Sequence, residues 1–75
     1  MSLDEIVTGQ QALILSLQSL NRINRKKFMS LGIMPNTILT VVRRAPLGDP
    51  IQVTAPGINL ALSAQQAKSI EVQSL

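Results

Sequence analysis

The 75-residue chain has no cysteine, no histidine, no tryptophan and no tyrosine, and Phe28 is its only aromatic residue. Without cysteine there is no disulfide framework, no thiol nucleophile and no thiolate metal site. Without histidine the usual proton carrier near neutral pH is missing, and so is the commonest metal ligand. Acids are also scarce: four Asp and Glu stand against seven Lys and Arg, for a formal net charge of +3. Of the possible anionic ligands Asp4, Glu5, Asp49 and Glu71, only the first two are neighbours. A closed hard-cation site needs several oxygen ligands, so neither a metal nor a cofactor is expected. The longest apolar run is Ala12 to Leu15, and a spanning helix needs about 20 residues. The opening Met1-Ser2-Leu3-Asp4-Glu5 lacks the basic and apolar parts of a signal peptide. Together with the lack of cysteine, this sets the expectation of a cytosolic protein.

What remains is a hydrophobic fraction of 45%, enough for a small core. Ordering the backbone costs roughly 1–2 kcal/mol per residue, so an unstapled chain of this size must close its sheet efficiently or associate. Leu3, Ile6 and Val7 suit a short docking turn capped by Ser2. Gln11 to Leu17 reads as a strand, with Leu13, Leu15 and Leu17 on one face and Ile14 on the other. Asn21 to Leu31 reads as a helix between an Asn21 cap and a Gly32 stop. At about 100° per residue, Leu20, Ile23, Phe28 and Leu31 gather on one side, and Arg22, Arg25 and Lys26 on the other. Met29 falls within the basic face and Lys27 at its edge.

Pro35-Asn36 is a turn, and Asn tolerates positive φ. Thr37 to Arg44 is β-branched and strand-like. Ala45 to Pro50 is a loop with two prolines and a glycine. Ile51 to Ala55 alternates, Pro56-Gly57 turns, and Ile58, Leu60 and Leu62 alternate again. Ser63 caps a short turn from Ala64 to Lys68, and Ile70 and Val72 belong to a last strand. Five short strands with tight turns predict an antiparallel sheet curled into a small barrel, with one helix and one helical turn. Exposed edges in such a barrel invite self-association.

Leu31-Gly32-Ile33-Met34-Pro35-Asn36, followed by Val42-Arg43-Arg44-Ala45-Pro46-Leu47-Gly48-Asp49-Pro50, resembles the FeoA family, the ferrous iron transport protein A domain. Leu3-Asp4-Glu5-Ile6 with Gly9 resembles the family's opening. Asn59-Leu60-Ala61-Leu62 with Ala67 and Ile70-Glu71-Val72 resembles its close, so one such domain spans residues 1–75. Two positions depart from the pattern: Asn36 stands where the family often has glycine, and Ser63 where a basic residue is common. The resemblance implies a Src-homology-3-like small barrel with a helical insertion. It further implies a non-enzymatic cytosolic accessory of the FeoB membrane transporter, which imports ferrous iron and carries a GTP-binding domain. Contact with the inner membrane would come only through that partner.

Two surfaces are candidates for partner binding. Pro46, Leu47, Gly48 and Asp49 form either a rigid connection with Leu47 folded over the barrel end, or a preformed recognition loop that loses little entropy on docking. Arg22, Arg25, Lys26 and Met29 form either a solvated basic face or a docking face for an acidic patch or anionic lipid, with Met29 as its apolar anchor. Arg43 and Arg44 point to opposite faces, so at most one joins a given patch. Nucleic acid is not expected as a partner, because the stacking aromatics are missing and Phe28 is assigned to the core. No glycine-rich phosphate loop and no acid–base or nucleophile pair is present. Two other functions are weighed. One is a direct transition-metal sensor or carrier, for which the ligands are lacking. The other is a regulatory barrel in metal-dependent transcription control, for which no DNA-reading helix is evident.

Overall fold

Apolar residues spaced two apart, interrupted at two defined points, set the architecture of the computed structural model, which covers residues 1–75. After a 3-10 turn (Leu3–Glu5) come β1 (Gln11–Ser16), α1 (Arg22–Ser30), β2 (Ile38–Arg44), β3 (Ile51–Ala55), β4 (Ile58–Leu62), α2 (Ala64–Lys68) and β5 (Glu71–Ser74). The strands form one sheet in the order β4-β3-β2-β1-β5, with every pairing antiparallel. The predicted mainly-β barrel of five strands with an inserted helix and a second helical turn is therefore what is found. Sixteen residues are buried, all hydrophobic, and they form one cluster.

The interruptions are bulges, and they decide which way side chains point. Ile14 lies opposite Val72, but the next pair is Ser16 with Glu71, which leaves Leu15 as the extra residue. A single extra residue reverses the inward–outward parity. Ile14 and Leu17 are thus both buried although three positions apart, and Leu15 is exposed. This corrects the sequence expectation that Leu13, Leu15 and Leu17 share one face: Leu17 is buried, Leu13 half-buried and Leu15 exposed. The register with Val72 and Leu39 draws Ala12 and Ile14 inward instead.

In β2 the extra residue is Val42, between the pairs Val41–Val53 and Arg43–Gln52. Its bulge turns Arg43 to solvent and brings Arg44 opposite the buried Ile51. There the Arg44 guanidinium donates to the carbonyl oxygens of Asp4 (2.6 Å) and Ile6, pinning the 3-10 turn under the barrel. Leu3 and Ile6 of that segment are buried, as read from the sequence, but Val7 is exposed.

The N-terminal residues also cover one edge of the sheet. Leu3 N–H donates to Ile70 O at 2.9 Å and Val72 N–H to Met1 O at 2.8 Å, so the edge of β5 is paired within the chain. On the other side β4 bonds only to β3.

Candidate partner-binding surface

The inserted helix starts and stops where its sequence directs. The Asn21 side chain accepts the Asn24 N–H at 2.8 Å as the N-cap. At the other end Gly32 takes φ +94°. Gly32 N–H bonds to Met29 O at 3.1 Å and Ile33 N–H to Phe28 O at 2.9 Å. This is a Schellman closure, and its accompanying hydrophobic contact is made by Phe28 and Ile33, both buried. Just past it, Asn36 takes φ +75°, in the left-handed region that asparagine tolerates.

Phe28 is the only buried residue of α1. With Phe28 pointing inward, helical geometry places Leu31 about 60° and Ile23 about 140° away from the core direction. Ile23 is accordingly 80% exposed and Leu31 45%. The apolar side read from the sequence is therefore not all buried: of its four residues only Leu20 and Phe28 are in the core. Arg22, Lys26 and Met29 are exposed and Arg25 is half-buried, so the predicted basic face is presented outward.

The 45–50 loop is held at its base by Ala45 N–H to Pro50 O (3.1 Å) and Gly48 N–H to Ala45 O (2.7 Å). Gly48 has φ +83°, and the Asp49-Pro50 peptide is cis. Leu47 at the tip is 96% exposed and does not fold over the barrel end. Asp49 plays a different part, accepting the Ala64 N–H at 3.1 Å at the start of α2. Ser63 and Gln66 complete that start with a reciprocal capping box.

No cleft is lined by residues of both predicted surfaces. The loop is tied to the start of α2, and a polar cleft of about 470 Å³ lies between α2 and the N-terminus of α1. That cleft is lined by Ser19, Leu20, Asn21, Asn24, Ser63, Gln65, Gln66 and Ser69. A smaller cleft of about 170 Å³ lies at the C-terminal end of α1, between Leu31 and the Gly57–Leu60 segment. Nowhere do three or more Asp and Glu side chains come together as a metal site. No helix is long and apolar enough to cross a membrane. Sequence reading missed Ile23 as a surface residue. Its signal was the wide angular spread of the four apolar residues gathered on one side of the helix.

A five-stranded antiparallel barrel with a helix inserted between its first two strands is a Src-homology-3-like domain. Comparison with known proteins narrows the class. The FeoA domain model matches residues 1–74, and the chain belongs to that family. A fusion of Fe(2+) transport protein A with the Fe(2+) transporter FeoB, from Porphyromonas gingivalis, is 34% identical over 73 residues. That match covers 97% of this chain but only 8% of the fusion protein. Among solved structures, the FeoA protein of Chlorobium tepidum superposes with a TM-score of 0.94 at 36% identity, covering 100% of this chain and 70% of that one. Stenotrophomonas maltophilia FeoA, solved in complex with zinc and described as a prokaryotic SH3 domain protein, gives 0.84 at 26% identity, covering 97% and 89%. This chain is thus a FeoA domain.

Proposed function

We propose that this domain is a non-enzymatic accessory that binds the cytosolic part of a FeoB-type ferrous iron transporter. The observation that carries the reading is the P. gingivalis relative, in which a domain 34% identical to this chain is joined to FeoB in one polypeptide. Fusion holds two modules at high effective concentration, which suits partners that act together. The surface features agree with a binding role. Leu47 projects from a loop fixed at its base, so docking it costs little ordering entropy. Arg22, Arg25 and Lys26 form no side-chain hydrogen bond within the chain and surround Met29, leaving them available to an acidic patch. Any effect on GTP hydrolysis or on the transport gate arises through different affinities for the transporter's states. The domain acts in the cytosol and reaches the inner membrane through its partner. Isothermal titration of the purified chain with the cytosolic region of a FeoB-type transporter tests this, beside ferrous uptake in a deletion strain. Saturable binding with reduced uptake is expected. No association together with unchanged uptake would overturn it.

A further inference from the structure

The sheet has two edges, and the chain treats them differently. The β5 edge is covered by Met1 to Leu3, whereas β4 is bonded only to β3. Pro56 and Gly57 form a two-residue turn, with Ala55 opposite Ile58. A two-residue connection makes its flanking pair a hydrogen-bonded one, and such pairs alternate along an antiparallel ladder. Ile58, Leu60 and Leu62 therefore bond to β3, and the N–H and C=O of Asn59 and Ala61 point away from the sheet. Both residues are exposed, and neither takes part in the backbone bonds made by loops and turns.

Natural sheets usually blunt an open edge with a charge, a proline or a bulge. β4, with the sequence Ile-Asn-Leu-Ala-Leu and an unbroken register, has none of these. Along it runs the cleft of about 170 Å³ formed by Leu31 with Ile58 and Leu60, the right size for one aliphatic side chain.

We propose that β4 receives an extended acidic segment of a partner protein as a sixth strand, which sets one aliphatic side chain between Leu31, Ile58 and Leu60. Main-chain bonds to Asn59 and Ala61 supply affinity, and the cleft supplies selectivity. Charge decides between this occupant and a second copy of the chain. Lys27 lies one helical turn from Leu31 on the flank of α1 that borders the cleft. Arg43 lies on the outer face of the sheet, in the row Arg43–Gln52–Ala61. From Ile6 to Gly48 the chain has six cations and no acid. Asp49, at the far end of β4, is engaged by Ala64 N–H. Pairing β4 with β4 of another copy would bring these cations together, whereas an acidic strand neutralises them.

The inference deepens the reading of this domain as a partner-binding module, but its test does not use the transporter. A phage-displayed library of random octapeptides is selected on the immobilised chain, and the enriched peptides are synthesised. Enriched sequences combine β-branched residues with Asp or Glu. Their addition to ¹⁵N-labelled protein shifts the Asn59, Ala61 and Leu31 amides and protects the first two from hydrogen exchange. N-methylation at alternate peptide residues lowers affinity roughly tenfold at one parity only, since one edge hydrogen bond is lost there. Ala61→Pro removes the outward N–H without breaking the β3 ladder and lowers affinity to a similar degree. Lys27→Glu also lowers it.

Selected peptides that leave Asn59 and Ala61 unshifted, or that tolerate N-methylation at both parities, would overturn the inference. So would line broadening at those amides that grows with protein concentration in the absence of peptide, the mark of a second copy. Either result leaves the transporter titration standing on its own.

Discussion

The Asp49 carboxylate accepts the Ala64 N–H at 3.1 Å, so the one acid of the 45–50 loop belongs to the start of α2. Leu47, two residues earlier, touches almost nothing. The loop therefore divides into an anchor and a presented tip. Asp49→Ala removes a cap-like bond and is expected to cost about 1 kcal/mol, lowering the melting temperature by about 4–8 °C in a domain of this size. Leu47→Ser changes stability by less than about 0.5 kcal/mol, because the side chain buries nothing. If the tip docks on the transporter, Leu47→Ser weakens that association and Asp49→Ala does not at temperatures where it remains folded. Calorimetric melting and titration of both variants make the comparison.

Phe28 is the one side chain that α1 buries in the barrel. Phe28→Ala is expected to cost about 3–5 kcal/mol. A 75-residue domain has roughly 4–11 kcal/mol of stability in all, so this variant is marginal near room temperature. Ile23→Ala, at an 80% exposed position, costs less than about 0.5 kcal/mol. Urea unfolding of the pair checks whether the helix is held at one point. Equal losses would mean that Ile23 is covered in solution.

These two residues also show what could be read before the structure. Asn21, Gly32 and the alternation in β3 and β4 gave the elements and their ends, because caps, turns and period-2 patterns are local. The direction in which Phe28 points is not local. Helical spacing alone allowed an inner face centred between Ile23 and Phe28, and contact with Ile33 fixed it on Phe28. The split face of β1 has the same origin: Leu-Ile-Leu is apolar on both faces, and only pairing with Val72 and the bulge at Leu15 decide which side chains turn inward. The candidate site was legible as residues, in the basic face and the loop. It was not legible as geometry, since the bond from Asp49 to Ala64 spans fifteen positions.

Arg44 joins β2 to the 3-10 turn across about forty residues of sequence. Its guanidinium donates to two carbonyl oxygens in a half-buried setting. Arg44→Ala leaves the Asp4 and Ile6 carbonyls without that donor and is expected to cost about 1.5–3 kcal/mol. Arg43→Ala, one position away but facing solvent, serves as the comparison, with a change under about 0.5 kcal/mol. Hydrogen exchange of the residue 3–6 amides reports whether the segment loosens in the first variant alone.

Gly32 combines φ +94° with close approach, since a Cβ placed there would lie 3.0 Å from Ile58 Cδ1. Gly32→Ala is expected to cost about 1–2 kcal/mol from the left-handed backbone alone. Crowding against Ile58 adds to it. Making the same change in an Ile58→Ala background separates the two parts: the backbone cost remains and the crowding disappears. A cost that vanished entirely in that background would show that the backbone conformation contributes nothing.

Glu5 links stability to pH. Its carboxylate accepts the Ser2 backbone N–H at 3.0 Å, and the Ser2 hydroxyl lies beside it. Both contacts favour the charged form and hold the pKa below the ordinary glutamate value, the backbone bond being the larger cause. A carboxylate whose pKa is lower folded than unfolded stabilises the fold fully above the unfolded value of about 4.3. That contribution fades as pH falls through the folded value. The urea midpoint should thus decline between about pH 5 and pH 3 in the native chain. In Glu5→Gln the amide oxygen still accepts the Ser2 N–H but has no charge to lose, so its decline is shallower. Asp4, which also lies against the Ser2 hydroxyl, is present in both proteins and drops out of the comparison. Superimposable pH profiles for the two chains would mean that the Ser2–Glu5 contact does not form in solution. The capping of the 3-10 turn would then rest on Ser2 and Asp4 alone.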